Sequence, residues 1–235
     1  MSRFVPSRHG LRFTNQWPDT ALFEINVPGL DRRLGIGVGH ASAGLCGGMV
    51  FTALDAFVVG LPPLQDPQPS PGSPLYRYIV RRLFDSFNLP VGVLRYYTWM
   101  LRPDQDWAAG RLTQRGVAGR SAAAWQSVKA DLDSGQPCPL GLVTVRSANP
   151  LQLGQNHLVL AYGYQQQGPQ VTIRVYDPNT DLAEADEVGI TVDLRKPWPP
   201  AGITHNVNIS RPIRGLFRVR YRAADPRALV QSPAP

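Results

Sequence analysis

The stretch NHLVLAYGYQQQGPQVTIRVYDPN, residues 156–179, decides how this sequence is interpreted. Two runs rich in β-branched and aromatic residues flank the polar loop QQQGP, a pattern typical of a β-hairpin. If Tyr164 pairs with Gln170 across that loop, the antiparallel register places His157 directly opposite Asp177. We therefore predict a hairpin that carries a histidine beside an aspartate at its open end.

The same register places His157 and Asp177 on one face of the hairpin. The rest of that face is apolar, with the predicted pairs Val159–Val175, Ala161–Ile173 and Gly163–Val171. A carboxylate that accepts a hydrogen bond from one imidazole nitrogen fixes the tautomer and frees the other nitrogen to act as a base. We expect this face to pack against the helical part of the protein.

A second stretch, GLCGGMVFTALDAFVVG at residues 44–60, predicts a buried helix that begins near its cysteine and ends at Gly60. One helical stripe contains Cys46, Val50, Ala53 and Phe57. Cysteine is among the most buried residue types, so this position alone would also suit a core residue. A helix N-terminus, however, stabilises a thiolate through its unpaired N–H groups and its positive dipole end.

Two glycines follow this cysteine, although glycine is a poor helix former. We expect Gly47 and Gly48 to leave the backbone open, so that a substrate carbonyl can approach. The N–H group of Cys46 would then point at the developing oxyanion. The second cysteine, Cys138, lies between prolines, and neither a histidine nor an aspartate follows it at a useful spacing.

The remaining sequence places helices first and strands afterwards. Further helices are predicted at residues 75–87, 91–101 and 121–135, and further strands at 139–146, 189–195, 202–209 and 214–222. This order predicts an α+β fold with an antiparallel sheet packed on the helical part. We expect a single domain over residues 1–235, with a helical half at 40–135, a β-sheet half at 136–222 and a flexible C-terminal tail at 223–235.

The formal net charge of +7 could attract nucleic acid. The arginines are spread along the chain, however, and their one local concentration alternates along a predicted strand, as a solvated face does. It includes Arg214, Arg218, Arg220 and Arg222. We therefore expect no nucleic-acid partner.

Two cysteines cannot build the disulfide framework of a small secreted domain, and the N-terminus MSRFVPSRHG lacks the apolar run of a signal peptide. The longest apolar stretch contains Asp55 and four glycines, which argues against a membrane span. These features predict a cytoplasmic protein.

The order of the motifs resembles that of the papain-like cysteine peptidases: a cysteine opens a buried helix, a histidine begins a strand, and an aspartate or asparagine ends the next. The 20-residue interval from His157 to Asp177 is most similar to the bacterial branch, which includes bacteriocin-processing peptidase domains and uses aspartate. The resemblance covers about residues 40–180. It implies Cys46 as nucleophile, His157 as general base and acid, and Asp177 as orienting residue, with Asn179 in reserve.

The sequence departs from this family at one position. Papain-like enzymes commonly have a glutamine six residues before the nucleophile, where it donates to the oxyanion, and here that position is His40. An imidazole N–H can also donate, so His40 is the first candidate to replace the glutamine. Asn15 and Gln16, in FTNQWP, are the other two candidates.

Together these features predict a thiol-dependent acyl-transfer enzyme that hydrolyses a peptide or amide bond without a metal or other cofactor. Amidase, deamidase and transacylase reactions would use the same three residues. The alternative is a papain-like scaffold that has lost catalysis and acts as a binding module, which the missing glutamine favours. A metal site built from Cys46, His40, His157 and Asp177 is disfavoured, because the HExxH and CxxC spacings are absent.

Overall fold

The fold combines helices with an antiparallel sheet, which confirms the predicted α+β class. The computed structural model describes residues 3–17, 24–25, 36–37, 44–64, 68–109, 112–194 and 203–230. His40 and the last five residues, 231–235, lie outside the described residues.

Within the described ranges, five helices precede the main sheet: α1 (Pro6–His9), α2 (Cys46–Val58), α3 (Pro74–Ser86), α4 (Val91–Met100) and α5 (Val117–Asp133). The last four lie where the sequence predicted helices, with α5 starting four residues before the predicted position 121. Ser73 explains where α3 starts, because its hydroxyl accepts a hydrogen bond from the N–H of Tyr76 at 3.3 Å. Among the described residues, no helix has the length and apolar character needed to cross a membrane.

The described residues also contain two short ladders whose strand pairing was not predicted. They pair β1 (Glu24–Ile25) with β2 (Ile36–Gly37) and β3 (Trp107–Ala109) with β4 (Leu112–Gln114). Strands of two or three residues are too short to show the alternation on which the prediction depends.

The main sheet contains β5 (Cys138–Val143), β6 (His157–Gln167), β7 (Gln170–Tyr176), β8 (Gly189–Asp193), β9 (Ile203–His205) and β10 (Gly215–Arg218). Its strand order is β10-β5-β6-β7-β8-β9, and every neighbouring pair is antiparallel. The two strands of the predicted hairpin, β6 and β7, therefore occupy the centre of the sheet. Central strands are held by hydrogen bonds on both sides, which makes them a rigid support for side chains at their ends.

The hairpin turn is tighter than the sequence predicted. Gln170 pairs with Gln167 and not with Tyr164, which pairs instead with Ile173. The predicted register was wrong because Gly168 adopts a positive φ of 59°. Glycine reaches this conformation without steric cost, which permits a two-residue turn and lets the strand continue through the glutamines.

A bulge between Ala161 and Gly163 then shifts the register a second time. Continuing the ladder past the bulge places Val159, and not His157, opposite Asp177. The tighter turn shifts the register by three residues, and the bulge shifts it by one residue in the opposite direction. Because the net shift of two is even, His157 and Asp177 stay on the same face of the sheet. His157 and Asp177 are consequently diagonal neighbours on one face rather than a direct pair.

Apolar clusters cover both faces of the sheet. One cluster joins α2, α3 and α4 to Leu158, Leu160 and Tyr176. The other joins α5 to Val159, Ala161, Ile173 and Val175. We expected the second face to pack against the helical part of the protein, and α5 confirms this, whereas α2 packs on the first face. Because helices bury both faces, hydrophobic alternation could not indicate which helix covers which face.

Gly47 and Gly48 are buried against α3 and do not open the backbone to a substrate, which corrects the expectation from sequence. A Cβ atom on Gly48 would lie 2.1 Å from the carbonyl oxygen of Ile79. A Cβ atom on Gly47 would lie 2.3 Å from Oγ of Ser86. The two glycines therefore allow α2 and α3 to approach closely, which outweighs their low helix propensity.

The C-terminal segment is attached to α2 where the sequence predicted a flexible tail. The N–H group of Ala224 donates to Oδ1 of Asp55 at 2.9 Å, and the hydroxyl of Tyr221 donates to the same oxygen at 2.7 Å. Arg227–Leu229 forms a 3₁₀ turn, and Leu229 packs against the core. The attachment follows from the burial of Asp55, since a buried carboxylate must be satisfied by donors.

Arg214 also differs from the prediction of a solvated arginine face. It is buried, and its Nε contacts Oδ1 of Asp104 at 2.6 Å. The other two guanidinium nitrogens donate to the carbonyl oxygens of Val145 and Arg102. The strand ends at Arg218, but the predicted alternation continues beyond it, since Arg218, Arg220 and Arg222 are exposed and Val219 is buried. Arg214 is a structural cation that joins the loop before β10 to the segment after α4.

We expect Gly48→Ala to destabilise the protein by about 1–3 kcal/mol, because its new methyl group meets the backbone of α3, which cannot move aside. Gly47→Ala meets side chains rather than backbone, above all Oγ of Ser86, so Ser86→Ala should partly restore the stability of that variant and do nothing for Gly48→Ala. Urea unfolding followed by circular dichroism measures these differences. Val58→Ala, at the exposed end of α2, is the matched control. Equal losses for the two glycine variants would contradict the packing described.

Candidate active site

Cys46 occupies the first turn of α2, where its sulfur meets donors from several parts of the chain. The side chain of His157 and the N–H groups of Leu158 and Gly47 lie near the sulfur and lower the pKa of the thiol. Burial raises the pKa of this thiol, but the positive charge of His157 and these donors outweigh burial, so the pKa lies below its ordinary value. Residue Cys46 is 8% exposed.

His157 begins β6 and lies between the thiol and a carboxylate. Its Nε2 is 2.7 Å from Oδ1 of Asp177, which leaves Nδ1 as the nitrogen for Cys46. Burial disfavours the imidazolium, but the charges and hydrogen bonds of Cys46 and Asp177 outweigh burial and raise the pKa of His157 to about 10. A lowered thiol pKa beside a raised imidazole pKa favours a thiolate–imidazolium pair.

Asp177 follows the last residue of β7 and is fully buried. Besides His157, it accepts hydrogen bonds from the N–H of Asn179 at 3.0 Å, the hydroxyl of Thr180 at 3.1 Å and the N–H of Asn208 at 2.8 Å. Burial raises the pKa of this carboxyl, but His157 and the two backbone donors lower the pKa by more than burial raises it. The pKa therefore lies below its ordinary range. The carboxylate is therefore held ionised and in one orientation.

The sequence placed Asn179 as a reserve orienting residue. Its side chain instead accepts from Nδ2 of Asn15 at 3.0 Å and donates to the carbonyl of Asn208 at 3.1 Å. Asp177 already occupies Nε2 of His157. Asn179 therefore supports the turn that holds Asp177 and does not orient the histidine itself.

The three oxyanion candidates have different outcomes. His40 lies outside the described residues. Gln16 is exposed, and its carbonyl oxygen accepts from the side chain of Gln68. Asn15 lies beside the site, where its Oδ1 accepts from the N–H of Leu45 at 3.1 Å.

Cys138 provides an internal contrast to Cys46. It lies in β5 and is 1% exposed. Burial, together with the charge of Asp131, raises the pKa of its thiol well above the ordinary value. Both cysteines are free and buried, but only Cys46 lies beside a histidine whose charge lowers the pKa of the thiol.

Three contributors to the site were not recognised from the sequence: Thr180, Asn208 and Tyr96. Thr180 follows Asp177 by three residues, within a turn whose local hydrogen bonding was predictable. Asn208 lies 31 residues from Asp177, and nothing in its local sequence marks it. Tyr96, on α4, donates to the carbonyl oxygen of His157 at 3.3 Å and links a further helix to the site.

No protein-family model, curated protein or solved structure matches this chain. Its function must therefore be inferred from the contacts of Cys46, His157 and Asp177.

We expect Asp177→Ala to reduce the free energy of unfolding by about 3 kcal/mol at neutral pH, because buried donors lose their acceptor. Asp181→Ala, at an exposed aspartate in the same turn region, is the control and should change stability by less than about 0.5 kcal/mol. Denaturant unfolding of both variants measures the difference.

The same pair of variants tests the pKa of Asp177. Because this pKa is lowered in the folded state, its contribution is present above the unfolded value of about 4 and is lost as the pH falls further. The stabilities of wild type and Asp177→Ala should therefore converge in acid. A difference that is constant from neutral pH to pH 3 would contradict this assignment.

Proposed function

We propose that this chain is a thiol-dependent acyl-transfer enzyme of papain-like architecture that hydrolyses a peptide or amide bond. The observation that carries the proposal is the continuous contact from Cys46 through His157 to Asp177. In such an arrangement the base lies next to the nucleophile, and a third group fixes the orientation of the base.

The first half of the reaction forms an acyl-enzyme. The Cys46 thiolate attacks the carbonyl carbon, a C–S bond forms, and the carbonyl electrons move to oxygen. His157 then gives its Nδ1 proton to the leaving amine as the C–N bond breaks. Asp177 stabilises the imidazolium and keeps Nε2–H directed at itself, so that Nδ1 is the nitrogen that gives and takes protons.

The second half regenerates the enzyme. His157, now neutral, takes a proton from water as the water oxygen attacks the thioester carbonyl. The tetrahedral intermediate collapses, the C–S bond breaks and Cys46 leaves as a thiolate beside the imidazolium. An amine in place of water would make the same site a transacylase, and a carboxamide side chain as substrate would make it a deamidase.

The start of α2 is the best-supported place for the oxyanion. The first N–H groups of an α-helix have no intrahelical acceptor, and the positive end of the helix dipole lies there. Cys46 is the first residue of α2, so its own N–H group belongs to this set. A developing negative charge beside Cys46 would be stabilised there.

The architecture supports the papain-like part of the proposal at a coarser level. A cysteine opens a buried helix, and that helix packs on an antiparallel sheet whose central strands carry the histidine and the aspartate. The sequence order of the three residues is the one found in the papain-like family.

One observation favours the second candidate, a binding module without catalysis. Cys46 and His157 are only 8% and 6% exposed, which leaves little of the nucleophile accessible to a substrate. A scaffold that has lost catalysis has no need of a wider opening.

The proposal is tested with p-nitrophenyl acetate, an activated ester that needs little substrate recognition. We expect release of p-nitrophenol and an acetyl group on the Cys46 peptide, detected by mass spectrometry after acid quench. Cys46→Ala should abolish both signals, whereas Cys138→Ala should change neither. Added hydroxylamine should speed turnover if deacylation is limiting. An unmodified Cys46, with release equal to that of Cys46→Ala, would leave the binding module as the function.

The thiolate is tested separately by iodoacetamide labelling of the native protein between about pH 5 and 9. Because the pKa of Cys46 is lowered, alkylation should have a midpoint well below the ~8.5 of an ordinary thiol. His157→Gln removes the charge that lowers this pKa and should move the midpoint upward. Cys138 should stay unlabelled until the protein unfolds. A wild-type midpoint at or above ~8.5 would contradict the proposed nucleophile.

A further inference from the structure

Asn15 makes contacts that reach both the nucleophile and the acid–base pair. Its backbone N–H donates to the carbonyl oxygen of Pro178 at 2.8 Å, and its Nδ2 donates to Oδ1 of Asn179 at 3.0 Å. Its Oδ1 accepts from the N–H of Leu45 at 3.1 Å and from Nε1 of Trp17 at 3.0 Å. The nitrogen and the oxygen of one side-chain amide thus bind partners in different segments of the chain.

The partners of Asn15 belong to two distant segments that carry the proposed catalytic residues. Leu45 immediately precedes Cys46 and caps the start of α2. Asn179 lies in the turn after β7, where its own N–H holds Asp177. These partners are 30 and 164 residues away from Asn15 along the chain, so no local structure would bring them together.

The geometry requires an amide rather than any polar group. Two N–H donors, from Leu45 and Trp17, fix the side on which the oxygen lies, and an acceptor on Asn179 fixes the side of the nitrogen. The fit is also close, because a Cβ atom on Gly44 would lie 2.3 Å from Nδ2 of Asn15. A carboxylate could keep the first two contacts but could not donate to Asn179.

From these contacts we infer that Asn15 is a positioning residue that sets the distance between Cys46 and His157. It acts on Cys46 through Leu45, and on His157 through Asn179 and Asp177. This inference rests on the proposed nucleophilic role of Cys46. It differs from the oxyanion role that the sequence left open for Asn15, since positioning requires no contact with substrate.

The consequence is a coupling between Asn15 and the thiolate. The pKa of Cys46 is lowered chiefly by His157, against burial that raises it. Coulombic and hydrogen-bonding contributions fall steeply with distance, whereas burial does not. If the segment bearing Asp177 moves away from the start of α2, burial prevails and the thiol pKa rises.

The test is the pH dependence of Cys46 alkylation by iodoacetamide in folded full-length variants. Asn15→Ala should raise the midpoint by about one pH unit, and Asn179→Ala should raise it by a similar amount. Asn15→Asp should raise it further, because it loses the contact to Asn179 and adds a negative charge near the thiolate. Thr14→Ala, one residue earlier in the same segment, is the matched control and should leave the midpoint unchanged.

The double variant Asn15→Ala/Asn179→Ala separates positioning from a general loss of stability. Because the two side chains share one hydrogen bond, the rise in the midpoint of the double variant should be smaller than the sum of the rises in the two single variants. Thermal unfolding establishes that each variant is folded at the assay temperature. If Asn15→Ala does not fold, Asn15→Asp and Asn179→Ala carry the test.

The outcomes distinguish the two proposals. A wild-type midpoint at or above ~8.5 overturns the nucleophilic role of Cys46, and the positioning role with it. A low wild-type midpoint that is unchanged in folded Asn15 and Asn179 variants overturns only the positioning role, even if their melting temperatures fall. A raised midpoint together with a lower kcat and an unchanged KM for p-nitrophenyl acetate supports positioning over substrate binding.

Discussion

The burial of the Asp177 carboxylate is the constraint on which the site depends. An ionised carboxylate removed from water is very costly unless donors surround it. The protein supplies them from three places: the turn that follows β7, the segment between β9 and β10, and the start of β6. Satisfying one charge thus requires three segments of the sheet half to meet at one point, and the histidine is one of the donors that meet there.

The charge held in this way determines the chemistry of Cys46. Asp177 stabilises a positive His157, and a positive His157 stabilises a negative Cys46 against the burial that opposes it. Cys138 experiences comparable burial without a histidine, and its pKa is raised instead. The two buried thiols therefore differ in pKa because His157 and backbone donors act on Cys46, whereas the charge of Asp131 adds to the effect of burial at Cys138.

The sequence predicted elements better than it predicted contacts. Periodicity located α2 to α5 and the six strands of the main sheet, because each lies in a stretch of sequence long enough or regular enough to show its pattern. The contact between His157 and Asp177 was predicted correctly although the predicted register was wrong. The errors at Gly168 and at the bulge add up to an even shift, which keeps both residues on one face. The glycines after Cys46 were explained only by the backbone of α3. Long-range partners such as Asn208 and Asn15 lacked a local pattern altogether.

A second buried carboxylate shows why α2 can serve as a rigid support for Cys46, the proposed nucleophile. Asp55, nine residues after Cys46, contacts Nε of Arg82 at 2.7 Å and receives the N–H of Ala224. The N-terminal end of α2 is held by Asn15 through Leu45, so both ends of the helix are fixed by polar contacts to remote segments. A catalytic thiolate tolerates little displacement from its base, because the interaction that lowers its pKa decays with distance. Fixing α2 at both ends therefore limits the movement of Cys46 relative to His157.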